Sequence, residues 1–198
     1  MSVEIEPDAA DSPRIHALLS GRRSTRAFAP RPVAREVLTR LFEAARWAPS
    51  SGNSQPWRFI VASKGEPAFD KIAGALVPGN AAWASQAPVL ILGVAQGKTE
   101  RGPDRYAFYG VGLAVGQMLA QATHEGVFAR QMAGYDVEKA RAAFDLPDEF
   151  EPVSVIALGY PGDPADLPAE IREKELAPRV RRSLGESFFD GEWGKAWA

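Results

Sequence analysis

The sequence predicts an α+β fold with a long buried helix near its centre. Three apolar, β-rich segments have the composition of strands, and helical segments lie among them in no strict strand–helix–strand order. Residues 106–126 are apolar on most sides and rich in small residues, which is typical of a helix packed in a core. The chain has 198 residues, no internal repeat and no linker, so residues 1–198 are expected to form a single domain.

Proline and the spacing of apolar residues predict two helices and a strand in the first third of the chain. The first helix is expected to have Ser12 as its N-cap and Pro13 at its first position. Residues 33–47 carry apolar side chains at helical spacing and end before Pro49, which predicts a second helix. Residues 57–63 are rich in aromatic and β-branched side chains and predict a strand.

Further helices and strands are predicted up to Pro161. Residues 88–95 form an unbroken apolar run, so this strand is expected to be covered on both faces. A polar loop is predicted at 97–105, and Asp136 is the expected N-cap of a helix. In chain order, the other predicted elements are helices at 67–76, 80–86, 106–126 and 136–144 and strands at 127–131 and 152–160.

The composition excludes several classes of protein. The net charge of −2 gives no overall field that would attract nucleic acid or an anionic membrane. The chain has no cysteine, which excludes disulfides and cysteine-bound metal and suits a cytoplasmic location. Residues 1–13 lack the apolar core of a signal peptide, and every apolar run is shorter than the ~20 residues of a transmembrane helix. We therefore expect neither nucleic acid nor membrane as a partner.

Motifs built on histidine, a nucleophilic serine or a phosphate loop are missing. No metal-ligand spacing surrounds His16 or His124, and neither G-x-S-x-G nor G-x-x-x-x-G-K-[ST] occurs. The glycine run at 110–116 has Val115 where a dinucleotide-binding loop requires its third glycine. We expect its small residues to let another helix approach closely.

Two arginine clusters, one near each end of the chain, predict an anion site. Residues 22–26 have the sequence RRSTR, whose three guanidinium groups and two hydroxyls can bind phosphate through charge-assisted hydrogen bonds. The second cluster contains Arg179 and Arg181, with Arg182 as the contact if the register slips by one. Both clusters can converge on one phosphate. The alternative is that they are unrelated, solvated basic segments.

Residues 48–59, APSSGNSQPWRF, concentrate short polar side chains in one loop. Serine, asparagine and glutamine offer neutral donors and acceptors that match the edge of a flat heterocycle with carbonyls and ring nitrogens. A phosphate-binding end and an amide-rich edge together describe flavin mononucleotide (FMN). The alternative is that these polar groups cap the helix at 33–47 and satisfy buried backbone.

Aromatic side chains near the C-terminus follow no helical or strand period; they are Phe188, Phe189, Trp193 and Trp197. Apolar side chains on an irregular tail need a surface that covers them. A partner subunit is the favoured cover, which predicts an intertwined homodimer. The alternative is that the tail folds back on its own protomer.

Together these segments resemble the FMN-dependent nitroreductase family. The resemblance implies a nitroreductase-like fold with a central mixed sheet flanked by helices. It also implies an intertwined homodimer with two FMN sites, each at the subunit interface. The resemblance is found in five segments that follow the family's order: RRSTRAF at 22–28, ARWAPSSGNSQPWRFIVAS at 45–63, NAAWASQAPVLILGVA at 80–95, GLAVGQMLAQATHEGV at 112–127 and the basic tail.

The family's phosphate contacts map onto both arginine clusters. Arg22 and Ser24 correspond to contacts with the phosphate and ribityl end, and Arg23 belongs to the same motif. From the tail, Arg179 and Arg181 correspond to phosphate contacts. The resemblance thus implies that residues from both ends of the chain share one phosphate.

Contacts with the isoalloxazine ring map onto Arg26 of the first arginine cluster and onto three other segments. Arg26 corresponds to a group near N1 and the C2 carbonyl, where a cation stabilises the charge of the reduced ring. Some family members carry a lysine one turn after the asparagine at the pyrimidine edge, but this chain has Trp83 there. The remaining implied contacts are Asn80 at the pyrimidine edge, Ala133 and Gly134 near N5, and Pro49, Ser50, Ser51, Asn53 and Gln55 on the flavin of the other subunit.

The resemblance also implies a reaction. NAD(P)H would pass hydride to N5 of FMN and leave, and an electron-poor small molecule such as a nitroaromatic or a quinone would then accept the electrons in a ping-pong sequence. One alternative is a specialised flavoenzyme of the same fold, such as a dehalogenase, a ring dehydrogenase or a flavin-consuming enzyme. Another is a flavin-binding module without turnover.

Overall fold

A computed structural model describes residues 15–100 and 102–197 and confirms the α+β class. Ser12 and Pro13, the expected start of the first helix, lie outside the described residues. The described helices are α1 (Ala17–Ser20), α2 (Arg35–Arg46), α3 (Pro67–Ala75), α4 (Pro78–Ala84), α5 (Ala107–His124), α6 (Val137–Ala143) and α7 (Ala169–Leu176). The described strands are β1 (Trp57–Ser63), β2 (Val89–Gln96), β3 (Lys98–Thr99), β4 (Gly102–Pro103), β5 (Phe128–Met132) and β6 (Phe150–Gly159).

The four longer strands form one sheet in the order β1–β2–β6–β5, with every neighbouring pair antiparallel. Within the described chain the sheet is therefore antiparallel rather than mixed as expected. The path of the chain explains the difference. After β2, helix α5 carries the chain back across the sheet, so β5 runs parallel to β2, but β6 returns between these two strands. The parallel strands never become neighbours.

Apolar layers cover both faces of this sheet. Successive side chains of β2 enter opposite layers: Leu90 and Leu92 pack with residues of α3, α4 and α6, whereas Val89 and Ile91 pack with residues of α2 and α5. The prediction of a strand covered on both faces is thereby confirmed. Burial of each such side chain stabilises the fold by about 1.5–3 kcal/mol, so the sheet is a firm base for the loops at its ends.

Helix α5 matches the helix predicted at 106–126, but its glycines differ from the expectation. A Cβ added at Gly110 would lie 2.7 Å from Cγ of Pro56. The absence of a side chain at Gly110 therefore leaves room for the residue before β1 and not for another helix. Gly112 and Gly116 face open space in the described chain. With the exposed Tyr109, they form a stripe of small and aromatic residues on the outer side of α5.

The C-terminal part contains an element that the sequence does not predict. Helix α7 consists mostly of residues with high helix propensity, but it is polar and has no apolar periodicity, and periodicity was the signal used for the other helices. Beyond it the tail packs mainly on itself, with the rings of Phe189 and Trp193 4.9 Å apart. Trp193 and Trp197 are 93% and 57% exposed. The tail therefore does not cover its aromatic side chains by folding back on its own protomer.

Candidate functional site

The RRSTR segment is neither helix nor strand, and the chain just after it is fixed to the fold. Phe28 forms an isolated β-bridge with Pro161. Gly162 permits this approach, because a Cβ there would lie 2.6 Å from the carbonyl carbon of Phe28. Thr25 is buried, while Arg22 is half-buried and donates from Nη1 to the hydroxyl of Ser24 at 3.0 Å. The backbone is thus held at one end, and the arginines are left beside an open cavity.

The C-terminal cluster closes against this segment. Arg179 Nη1 donates to the backbone carbonyls of Ser20 at 2.8 Å and of Arg22 at 3.1 Å. The two arginine clusters predicted from the sequence therefore converge on one cavity of about 310 Å³, and Arg182 is not among its lining residues. The cavity is lined by Arg22, Arg23, Ser24, Arg26, Arg130, Lys174, Glu175, Ala177, Pro178, Arg179 and Arg181. We call it the cationic cavity.

Positive charge is concentrated in the cationic cavity at an electrostatic cost. Burial lowers the pKa of Arg22, and the neighbouring charges of Arg181 and Arg179 lower it further. Like charges held close together disfavour one another's ionised form unless an anion compensates them. Guanidinium groups match the oxygens of a phosphate in pairs of hydrogen bonds. The chemistry of this cavity therefore suits a small phosphorylated ligand.

Glu175 is the carboxylate that joins α7 to the RRSTR segment. It accepts a hydrogen bond from the Thr25 hydroxyl at 2.6 Å and another from the backbone N–H of Arg26 at 3.0 Å. Its Oε2 also lies 3.5 Å from Nη1 of Arg26, and both side chains are largely buried. These contacts fix the position of Arg26. Glu175 could not be predicted from the sequence, because α7 has no apolar periodicity that would place one of its faces against the RRSTR segment.

Arg130 is a second residue of the cationic cavity that sequence reasoning missed. It lies at the middle of β5 and donates to the backbone carbonyl of Ser24. Its guanidinium carbon lies 5.5 Å from the ring centroid of Trp83, in a cation–π arrangement. A charged residue in a short strand, with the apolar Phe128 and Met132 two positions away on either side, was the available signal.

Asn80 and Gly134 form a second group, at the junction of α4 and the end of β5. Asn80 Nδ2 donates to the carbonyl of Gly134 at 2.9 Å, and the backbone N–H of Val77 donates to the same oxygen at 3.1 Å. A Cβ at Gly134 would lie 2.6 Å from Nδ2 of Asn80, so only glycine allows this packing. Ala133 is exposed and borders a groove of about 370 Å³ between β5, β6 and α5.

The loop at 49–55 points away from its own protomer. Pro49 and residues 51–55 are exposed, and Ser50 is half-buried. Its polar groups bond within the loop: Ser50 Oγ accepts from the backbone N–H of Gln55 at 2.9 Å, and Gln55 Nε2 donates to Asn53 Oδ1 at 3.2 Å. None of these bonds caps α2, so the capping part of the alternative is wrong in the described chain. The bond from the Gln55 N–H to Ser50 does satisfy backbone of the loop itself.

This loop also stores backbone strain. Asn53 and Gln55 adopt φ values of 56° and 45°, and Gly52 adopts 54°. Non-glycine residues in this left-handed region cost on the order of 1–3 kcal/mol each and cluster at binding sites. Residues 49–55 line neither the cationic cavity nor the groove beside Ala133. Within one protomer, the structure therefore brings the predicted phosphate contacts together but keeps the loop apart from them.

Two other kinds of site are not found in residues 15–100 and 102–197. No group of histidine and acidic side chains there could hold a metal ion. No helix in the same residues is long and apolar enough to cross a membrane.

Comparisons with known proteins give a consistent picture. The family model described as the nitroreductase family matches residues 19–77 and 66–160. A crystal structure described as an oxidoreductase containing FMN is 30% identical, covers 98% of each chain and superposes with a TM-score of 0.88. A candidate NADH dehydrogenase/NAD(P)H nitroreductase from Xanthomonas oryzae pv. oryzae is 29% identical in an alignment 185 residues long, which covers 81% of this chain and 91% of the relative.

A third relative is named for a different activity. The 5,6-dimethylbenzimidazole synthase of Rhodospirillum rubrum is 27% identical in an alignment 180 residues long, which covers 78% of this chain and 85% of the relative. Its similarity is close to that of the relative from Xanthomonas oryzae pv. oryzae. The degree of sequence similarity therefore does not decide between the two named activities.

Proposed function

The chain belongs to the nitroreductase family, a family of oxidoreductases, and we propose that it binds FMN and uses it to pass electrons from NAD(P)H to electron-poor small molecules. The observation that carries this proposal is the cationic cavity, in which arginines from both ends of the chain meet. The FMN-containing structural neighbour supports the same cofactor. A reducing cytosol suits the cysteine-free sequence, and residues 1–198 are proposed to act as one domain.

The residues present fit FMN in charge and in chemistry. A phosphate monoester carries about −1.5 to −2 charges at neutral pH, and Arg22, Arg179 and Arg181 supply guanidinium groups for it. The Ser24 hydroxyl, already bonded to Arg22, is the neutral partner next to the phosphate and ribityl end. These side chains would bind and orient the phosphate without taking part in bond making.

The ring would lie against Arg26, Asn80, Ala133 and Gly134. Bound FMN supplies the hydride-transfer chemistry, and the protein supplies position and electrostatics. Asn80 is held by its bond to the Gly134 carbonyl, so its Oδ1 keeps one orientation toward a ligand edge. Arg26 is held by Glu175 and places a fixed positive charge beside the ring.

We propose that the active form is a homodimer in which each site uses both protomers. The exposed, strained loop at 49–55 is the candidate contribution from the second protomer. The exposed stripe on α5 and the exposed aromatic side chains of the tail are surfaces that a second copy would bury. A site between protomers also explains why the loop lies apart from the cationic cavity of its own chain.

The proposal is tested by the visible spectrum of the purified protein before and after addition of FMN. We expect a bound flavin that NADH or NADPH bleaches under anaerobic conditions and that a nitroaromatic or a quinone restores. A protein that takes up no FMN would contradict the cofactor. Bound FMN that neither nucleotide reduces would contradict turnover and favour a flavin-binding module.

A second function, a specialised flavoenzyme of the same fold, is favoured by the relative named for making 5,6-dimethylbenzimidazole. That product contains the dimethylated benzene ring that flavins also carry. An enzyme that consumes its flavin would lose the flavin absorbance during aerobic turnover with NAD(P)H. The nitroreductase-type reaction would instead return the oxidised spectrum after each cycle.

A further inference from the structure

Arg130 lies between the two groups of predicted cofactor contacts. Its hydrogen bond to the carbonyl of Ser24 ties it to the cationic cavity. Its guanidinium lies over Trp83, which follows Asn80 by one turn of α4. Arg130 therefore borders the predicted phosphate contacts at one side and the helix that carries the predicted ring contact at the other.

The charge of Arg130 is not balanced by the protein. Burial lowers the pKa of Arg130, the charge of Arg26 lowers it further, and Glu175 acts in the opposite direction. Glu175, however, is bonded to Thr25 and to Arg26. Among the described residues Arg130 forms no ion pair, and it contacts the carbonyl oxygen of Ser24 and the ring of Trp83.

Two half-buried guanidinium groups beside one carboxylate leave an excess of positive charge at Arg26 and Arg130. Such an arrangement costs free energy unless an anion compensates it. Arg22, Arg179 and Arg181 carry three positive charges, more than the roughly −1.5 to −2 of a phosphate monoester. The excess charge therefore points to a second, separate negative charge in the ligand. In bound FMN, two-electron reduction places such a charge on the ring near N1 and the C2 carbonyl.

We propose that Arg130 is a second cation at the pyrimidine edge of the bound flavin, held in place by the face of Trp83. This inference rests on the proposed function. In family members with a lysine one turn after the asparagine, that lysine comes from the α4 position; here Trp83 occupies it and the charge comes from β5 instead. Trp83 is only 3% exposed, so it is a fixed platform for the guanidinium.

The test compares the midpoint potential of bound FMN in variants of Arg130. Arg130→Gln removes the charge and should weaken binding of reduced relative to oxidised FMN by at least tenfold, which lowers the two-electron potential by about 30 mV. Arg130→Lys should restore most of the potential because it restores the charge. Arg130→Met keeps an unbranched, apolar side chain on Trp83 and is the second neutral variant if Arg130→Gln does not fold.

Arg141→Gln is the matched control, since Arg141 also donates to backbone carbonyls, those of Leu146 and Pro147, outside the cationic cavity. The midpoint potential of FMN bound to the Arg141→Gln variant should equal that of FMN bound to the wild type. If a neutral Arg130 variant binds FMN with unchanged potential, or if Arg130→Lys shifts the potential as much as the neutral variants, the inference is wrong while the proposed function stands. If the wild-type protein binds no FMN, the proposed function itself fails.

Discussion

Arg22 shows at the scale of one residue how the fold prepares an anion site. Its side chain is half-buried, it donates to Ser24, and its own carbonyl accepts from Arg179. Burial and two neighbouring arginines lower its pKa, so a bound anion would relieve repulsion as well as form hydrogen bonds. The sequence motif predicts which side chains lie here, but it does not reveal Arg130 or Glu175, whose segments are distant along the chain.

Replacing Arg22 by alanine should weaken FMN binding. The change removes a charge-assisted hydrogen bond worth roughly 1.5–3 kcal/mol, which corresponds to about a tenfold to hundredfold loss of affinity. Quenching of flavin fluorescence on titration measures this affinity. Arg35→Ala, on an exposed position of α2, is the control and should bind as the wild type does. If both variants bound FMN with equal affinity, Arg22 would not be a contact of the cofactor.

At the scale of elements, periodicity predicts those parts of the fold that bury apolar faces. The bounds of β1 agree with the prediction, and Asp136 caps α6 by accepting from the N–H of Lys139. Helix α7 escapes prediction because it has no apolar stripe: Ile171 packs against the core, and Glu175 makes polar contacts with the RRSTR segment. The antiparallel order of the sheet depends on the path of β6, which no local pattern encodes.

The contact between α5 and Pro56, the residue that follows the loop at 49–55, gives a prediction at this scale. A methyl group at Gly110 would overlap the ring of Pro56, so Gly110→Ala should destabilise the protein by about 1–3 kcal/mol and displace the loop. Gly74→Ala is the control, because Gly74 lies in α3 with open space around it. This substitution should raise the free energy of unfolding by about 0.5–1 kcal/mol. Urea unfolding of both variants measures the difference; a neutral Gly110→Ala would mean that the loop is not held by this contact.

At the scale of the whole molecule, we propose that a single protomer holds only part of the site. Its cationic cavity is assembled, but the loop at 49–55 faces outward and the tail aromatics remain uncovered. The sequence motifs suggested both halves of the site. They could not show that the halves lie apart in one chain, because that separation depends on the tertiary path between α2 and β1.

A mixed dimer tests whether the two halves meet across an interface. One protomer carries Arg22→Ala, and the other carries Ser51→Ala with Asn53→Gly, where glycine suits the φ of 56°. In the heterodimer one site has both defects and the other has none. Purified through two different tags, it should therefore bind one FMN with wild-type affinity. If each site used one protomer only, no tight site would remain in the heterodimer.

The most direct measurement of the central claim is the affinity of the wild-type protein for FMN compared with riboflavin, which lacks only the phosphate. At least two charge-assisted hydrogen bonds of roughly 1.5–3 kcal/mol each predict that FMN binds about 10²- to 10⁴-fold more tightly, with the gap narrowing in Arg22→Ala. Equal affinities for FMN and riboflavin would contradict the assignment of the cationic cavity to the phosphate.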